Sequence, residues 1–156
     1  MKSDRFARQA ASVFVVALIL YIFAYSAIEH GRKHNGPWQV AFTNDAAGAP
    51  TMLIAQPKLA ITNVQIVFPD ATIPINNAPS RLEMEQPRGV PFDVPFGKCV
   101  FLDLTSLPGT MVFKVFGHEI QLLPRVLTID KVEHAWQPGM VLSLPVIGSF
   151  SETNRP

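Results

Sequence analysis

The run KCVFLDLTSLPGTMVFKVFGHEIQLL, at residues 98–123, carries the clearest β-structure signal in the chain. Short apolar runs are separated by Pro108-Gly109 and by Gly117-His118, and both pairs have the residue chemistry of tight turns. Pro138-Gly139 repeats the signal further on, so residues 98–145 predict an antiparallel meander. Its six predicted strands cover residues 99–105, 111–116, 119–123, 126–129, 132–136 and 141–144.

Alternation within these runs predicts which side chains face the core. Successive side chains of a strand point to opposite faces. In the first run this sends Val100, Leu102 and Leu104 toward the core and leaves Phe101 pointing outward. One face of the predicted sheet should therefore be buried.

Further strands are expected upstream, at residues 38–43, 52–55 and 59–68. In the last of these, Val64, Ile66 and Phe68 alternate with polar residues. The total of eight or nine strands predicts an all-β, extracytoplasmic domain over residues 38–150, built as an antiparallel β-sandwich or a small barrel. Residues 151–156 form a tail.

Residues 69–97 interrupt this pattern, because their prolines prevent a central strand from running through most of them. Residues 80–83 match a capping box and allow one helical turn. We interpret the segment either as an extended interaction arm or as a connection that covers the sheets. The candidate interaction residues of the arm are Pro69, Pro74, Arg81, Pro87, Pro91 and Pro95.

Residues 10–28 read AASVFVVALILYIFAYSAI and contain no charged side chain. At helical rise they span about 28 Å, close to the thickness of the hydrocarbon core of a bilayer. This segment predicts one N-terminal transmembrane helix. A cleaved signal sequence is the alternative, since Ala24-Tyr25-Ser26 has the form of a processing site.

The flanks of this helix predict its orientation. Residues 1–9 form a basic head of the kind retained in the cytoplasm, and residues 29–37 form a polar juxtamembrane linker. The β domain would then lie in the periplasm, anchored to a bacterial inner or intracytoplasmic membrane.

One face of the helix alternates small and large side chains, which favours close packing against a neighbouring helix in lipid. Lipid contact along the whole helix is the alternative. The candidate packing face consists of Ala10, Phe14, Ala17, Tyr21, Ala24 and Ile28.

No motif for catalysis, metal binding or cofactor binding is found in the sequence. Cys99 is the only cysteine, which excludes an intramolecular disulfide and a zinc site built on paired cysteines. Residues 38–156 contain eight Lys and Arg residues against ten Asp and Glu residues, a net charge of −2 without a basic stripe. Nucleic acid is therefore not an expected partner.

These observations predict a non-catalytic, membrane-anchored accessory or scaffolding subunit of a larger membrane protein complex of photosynthetic, respiratory or transport type. Its expected partners are integral membrane subunits and the lipid bilayer, and no cofactor or metal is expected. The alternative is a tethered binding or assembly module for a peptide, lipid or client protein. An enzyme would need polar residues brought together from separate strands, with Asp93, Asp103, His118 and Glu133 as the candidates.

Overall fold

A computed structural model describes residues 2–71, 80–84 and 86–147 of the chain. The chain divides into two compact units, an N-terminal helix and a β domain that begins at Asn35. The described part of the β domain contains eleven strands in two sheets. The prediction of one apolar N-terminal helix followed by a mostly β domain is therefore confirmed.

Helix α1, Lys2–Lys33, contains the whole uncharged run and extends beyond it at both ends. Its large apolar side chains, among them Phe14, Tyr21 and Ile28, are exposed. Within the described residues it is the one helix whose length and apolar composition would suit a membrane span. The same features fit either a membrane anchor or a signal sequence.

The β domain contains two more strands than the sequence predicted, because two short strands form inside the segment at residues 69–97. Both lie at sheet edges, where proline-rich sequence is tolerated because the edge needs no further donors. The strands are β1 Gln39–Asn44, β2 Pro50–Gln56, β3 Ile61–Val67, β4 Ser80–Glu83, β5 Phe92–Val94, β6 Gly97–Asp103, β7 Thr110–Val115, β8 His118–Leu122, β9 Val126–Ile129, β10 Val132–Ala135 and β11 Val141–Ser143.

The first sheet has the strand order β11-β3-β2-β1-β4, and the second has the order β10-β9-β8-β7-β6-β5. Strands β5 to β10 form the expected antiparallel meander. The prediction was wrong for β11, which leaves the meander, joins the first sheet and pairs parallel with β3. Trp136, in the connection from β10, donates its indole N–H to the carbonyl of Leu123 and packs on Trp38.

The helical turn expected at residues 80–83 is also absent. This segment is strand β4, which pairs antiparallel with β1 and packs Leu82 against the core. The capping-box pattern is a local signal, and tertiary pairing overrides it here.

One hydrophobic core collects side chains from both sheets. Val64, Ile66 and Phe68 are fully buried, as their alternation predicted. Phe42 of the first sheet meets Phe113 of the second in an edge-to-face contact with ring centroids 6.2 Å apart. The buried faces of the two sheets therefore meet each other.

A β-bulge between Cys99 and Phe101 changes the predicted register of β6. A bulge places one extra residue in a strand, so the alternation shifts by one position. Cys99 and not Val100 belongs to the buried core, while Leu102 and Leu104 pack against it as predicted. Phe101 is exposed, which also agrees with the prediction.

Gln56 fixes the segment through which the chain enters the β domain. This side chain is 1% exposed, and its amide nitrogen lies 2.9–3.0 Å from the carbonyl oxygens of Asn35, Gly36 and Pro37. Its amide oxygen accepts a hydrogen bond from the backbone N–H of Lys58. The two amide hydrogens are thus shared among three carbonyls, and this one side chain contacts four backbone groups that lie outside the strand ladders.

Replacing this side chain should destabilise the domain. We expect Gln56→Ala to lower the free energy of unfolding by about 1–3 kcal/mol, because partly buried carbonyls lose their donor. Chemical denaturation of the full chain in mild detergent measures the effect. The exposed Gln137 is the matched control, and Gln137→Ala should stay within about 0.5 kcal/mol of wild type. Equal stabilities of the two variants would contradict this assignment.

Candidate functional site

The β7–β8 hairpin turn places His118 at the edge of the core. The turn residues are Phe116 and Gly117, both with positive φ, as a type I′ turn requires. The sequence had placed the turn one residue later, at Gly117-His118. The actual turn makes His118 the first residue of β8, with its side chain buried on the inner face of the sheet.

A second tight turn brings a carboxylate to this histidine. Asp130 and Lys131 form the turn between β9 and β10, and both also have positive φ. One carboxylate oxygen of Asp130 lies 2.5 Å from Nδ1 of His118. The other accepts the backbone N–H of Glu119 at 2.9 Å.

The remaining ring nitrogen of His118 faces a third segment. Nε2 lies 2.6 Å from the carbonyl oxygen of Pro145, beyond β11. Nearby, the backbone N–H of Ile147 donates to the carbonyl of Phe116. His118 therefore connects the hairpin, the β9–β10 turn and the segment after β11.

The contacts and the burial of His118 restrict the access of a substrate to its ring. Both ring nitrogens lie within hydrogen-bond distance of an oxygen of the domain itself. The His118 side chain is only 5% exposed. In the described contacts both nitrogens face groups of the domain itself, and neither faces a substrate-sized opening.

The environment of Asp130 affects its pKa in two opposite ways. Partial burial raises the pKa, whereas the hydrogen bonds from Glu119 and His118 lower it and outweigh the burial. The pKa of the Asp130 carboxyl therefore lies below its ordinary value. This carboxylate stabilises the folded chain in its ionised form.

The other candidates for an enzymatic site are not among the hydrogen-bond partners of His118. Asp93 is exposed on edge strand β5, 4.0 Å from the Lys98 ammonium. Asp103 accepts hydrogen bonds from Thr105 at the end of β6. Glu133 is exposed on edge strand β10. No dyad or triad links these carboxylates to His118 in the described contacts.

Cys99 is fully buried beside the bulge of β6, and its thiol donates to the carbonyl of Phe101 at 3.4 Å. Burial raises the pKa of the Cys99 thiol to about 11. At neutral pH it is therefore a protonated, packed side chain, which is the opposite of an activated nucleophile.

Among the described residues, no group of three or more His, Cys, Asp or Glu side chains is placed to hold a metal ion. Glu29, the acidic neighbour of His30, instead forms ion pairs with Arg32 and Lys33 on α1.

The candidate packing face on α1 lies on an exposed apolar surface. A shallow depression on the helix is lined by Ser12, Val13, Val16, Ala17 and Leu20. Ala17 alone belongs both to this depression and to the candidate face.

The prolines of the candidate arm that fall within the described residues, together with Arg81, are exposed. Pro74 lies outside the described residues. Arg88 places its guanidinium over the ring of Phe92, 5.0 Å from the centroid, in a cation–π contact.

The outer face of the first sheet is the feature that the sequence reasoning missed. Strands β1, β2, β3 and β11 contain no Asp, Glu, Lys, Arg or His, and we call their outward surface the uncharged face. One cross-strand row on it runs through Ala41, Leu53, Gln65 and Val141. By contrast, the strands of the second sheet carry Asp93, Lys98, Asp103, Lys114, Glu119 and Glu133.

A groove of about 200 Å³ opens on the uncharged face, where Ala41 and Ala55 leave space beside Leu53. Its polar lining consists of Gln39 and Asn63 together with Arg81 of edge strand β4. Among the described side chains that line the groove, Arg81 is the charged one. The sequence did contain a signal for this surface, since residues 38–68 hold only two charged residues, Asp45 and Lys58.

No protein-family model matches the chain, and neither the curated proteins nor the solved structures include a significant match.

The Asp130 carboxylate should make stability depend on pH in a defined direction. Its pKa is lower in the folded chain than the ordinary value of 3.8. Its contribution is therefore present above that value and is lost as the pH falls through the folded pKa. We expect Asp130→Asn to be less stable than wild type at neutral pH. As the pH becomes acidic, its stability should fall less than that of wild type.

Thermal unfolding of the full chain in mild detergent, followed from neutral to acidic pH, measures this effect. Asp93→Asn is the control, because Asp93 is exposed and lies at the limit of ion-pair distance from Lys98. Parallel pH profiles for wild type and Asp130→Asn would show that the His118–Asp130 contact contributes nothing to folding.

Proposed function

We propose that this chain is a non-catalytic, single-pass accessory subunit of a larger membrane protein complex of photosynthetic, respiratory or transport type. Helix α1 anchors it in a bacterial inner or intracytoplasmic membrane, with the N-terminus in the cytoplasm. The β domain, a β-sandwich, covers the periplasmic face of the complex. The alternative is a tethered binding or assembly module, which the groove beside Arg81 favours.

The exposed apolar surface of α1 carries the proposal. Exposing this surface to water would cost free energy, because each Å² of apolar surface removed from water stabilises a protein by about 25 cal/mol. In lipid the cost disappears, and the backbone hydrogen bonds of the helix are satisfied internally. A membrane is the environment in which this helix is stable without a cover from its own chain.

The side chains of the candidate face support packing against other helices. Ala10, Ala17 and Ala24 recur every seven residues on α1. Small side chains at this spacing allow two helix backbones to approach closely along a left-handed crossing. Close packing has to hold such helices together, because lipid provides no hydrophobic reason for association.

The polar chemistry of the β domain supports a non-catalytic role. His118 has both ring nitrogens engaged, and burial keeps Cys99 protonated. Both side chains make their contacts inside the β domain. We expect the domain to act by binding other molecules through its surface, as a subunit or a binding module does.

Migration in native gels tests the subunit proposal. Solubilised in mild detergent, the full chain should migrate in an assembly much larger than its own 17.2 kDa. Ala17→Leu should release at least half of it, because a larger side chain blocks close helix contact. Ser26→Leu, which adds similar bulk on the opposite side of α1, should leave the assembly intact. A wild-type chain that always migrates alone would refute the proposal.

Cysteine labelling tests the orientation. The buried Cys99 provides little background at neutral pH. In intact cells a membrane-impermeant maleimide should label Gln137→Cys, on the exposed β10–β11 connection, but should label Ser3→Cys only after permeabilisation. The reverse pattern would show the opposite orientation. Mature protein that lacks the first residues would show that α1 is a cleaved signal.

A further inference from the structure

We propose that His118 is a pH-sensitive latch for residues 145–147, which we call the strap. With both ring nitrogens protonated, His118 holds the strap against the β7–β8 hairpin. When the ring loses one proton, this hold is lost and the strap opens. The proposal concerns the β domain alone, so it goes beyond the proposed function and does not depend on it.

The strap connects the two sheets. It follows directly after Leu144, whose backbone N–H donates to the last carbonyl of β3 at 2.9 Å. At the other end, the backbone N–H of Ile147 donates to the carbonyl of Phe116 in the β7–β8 turn at 3.2 Å. Between these ends, Val146 packs against the hydrophobic core. A Cβ atom at Gly117 would lie 2.7 Å from the carbonyl oxygen of Ile147, so the strap lies directly on the turn.

The ring of His118 is the one side chain that forms a hydrogen bond to the strap in the described contacts. Its Nε2 atom lies 2.6 Å from the carbonyl oxygen of Pro145, and its Nδ1 atom lies 2.5 Å from a carboxylate oxygen of Asp130. A carbonyl oxygen only accepts hydrogen bonds, and so does an ionised carboxylate. The pKa of the Asp130 carboxyl lies below its ordinary value, so this group is ionised in the pH range where imidazole titrates.

The protonation state of the ring decides which of these two hydrogen bonds can form. An imidazolium ion donates to both oxygens at once, whereas neutral imidazole has one N–H and one lone pair. The charge-assisted bond to Asp130 is the stronger of the two, so the neutral ring keeps its proton on Nδ1. The lone pair of Nε2 then faces the carbonyl oxygen of Pro145, and the two repel each other. Deprotonation therefore breaks the bond to the strap and keeps the bond to the β9–β10 turn.

The charged groups around the ring allow it to carry a proton despite its burial. Burial disfavours the imidazolium form, and the adjacent carboxylate of Asp130 favours it. Glu119 points to the opposite face of β8, as alternation requires, and Lys131 is exposed in the β9–β10 turn. Phe68, whose ring centroid lies 6.3 Å from that of His118, and the strap itself carry no charge. In the described contacts, Asp130 is thus the charged group that acts directly on the ring.

Closure of the strap and protonation of the ring favour each other, because the closed strap provides the second acceptor. Imidazole changes its charge between about pH 5 and 8. The hold on the strap is therefore present on the acidic side of this range and is lost as the pH rises through it. Strand β11, directly before the strap, pairs with β3 through three residues, so opening of the strap should also loosen this strand.

Hydrogen exchange of the full chain in mild detergent, followed by mass spectrometry at pH 5.5 and pH 8, tests the proposal. The amide of Ile147 reports on the strap, because its hydrogen bond to Phe116 requires the closed position. After correction for the intrinsic effect of pH on exchange, protection of the peptide with Ile147 should be at least tenfold lower at pH 8. A peptide from β2 should keep its protection. Equal protection of the strap at both pH values would overturn the proposal.

Two histidine variants assign the response to the ring. His118→Asn cannot take up a proton, so its strap should be poorly protected at both pH values. His134→Asn is the control, because His134 lies half-buried on edge strand β10, and this variant should keep the wild-type response. A response that persists in His118→Asn contradicts the proposal. Protection of the β2 peptide in the same experiment shows whether each variant is folded.

Nitrogen NMR of the histidine ring gives a readout that needs no substitution of His118. In a full chain with His30→Gln, His34→Gln and His134→Asn, the remaining histidine signal belongs to His118. Both ring nitrogens should have the chemical shifts of protonated nitrogen at pH 5.5, and Nδ1 alone should have them at pH 8. A singly protonated ring at pH 5.5, or a proton on Nε2 at pH 8, would overturn the proposal and leave the proposed function standing.

Discussion

The contact between the buried faces of the two sheets is the constraint on which the β domain depends. Each strand must present alternate side chains to the core, and a shift by one residue would move a whole apolar set to the surface. Phe42 and Phe113 meet across this core, and Trp38 joins it through Trp136 and through a hydrogen bond to the carbonyl of Gly109. The turns, the edge strands and the His118 cluster are arranged around that contact.

Much of the fold could be predicted from the sequence, because the strongest signals are local. The uncharged run on α1 and the alternation of Val64, Ile66 and Phe68 depend only on neighbouring residues, and both predictions were confirmed. Strand β4 could not be found in this way, since its formation depends on pairing with β1. The parallel partner of β11 depends on β3, which lies far away along the chain.

The candidate sites were harder to predict, for a similar reason. The Asp130 carboxylate meets His118 only because two tight turns lie side by side at one end of the second sheet. The sequence had grouped His118 with Asp93, Asp103 and Glu133, which lie on other strands. The uncharged face leaves a trace in composition, but recognising it required the knowledge of which four strands share a sheet. A His–Asp contact of this kind can connect strands and turns, so the residue types alone do not indicate a catalytic role.

The parallel pairing of β11 with β3 has a consequence for how the chain is made. Residues 141–143 close the edge of a sheet whose other strands are complete by residue 83. A chain that emerges from its N-terminus first must therefore keep the β3 edge open until nearly all of the domain has emerged. During that interval the exposed edge could pair with other unfolded chains. During synthesis this protein should therefore need chaperones that cover the open edge of β3. A chain that terminates before residue 141 would keep that edge open.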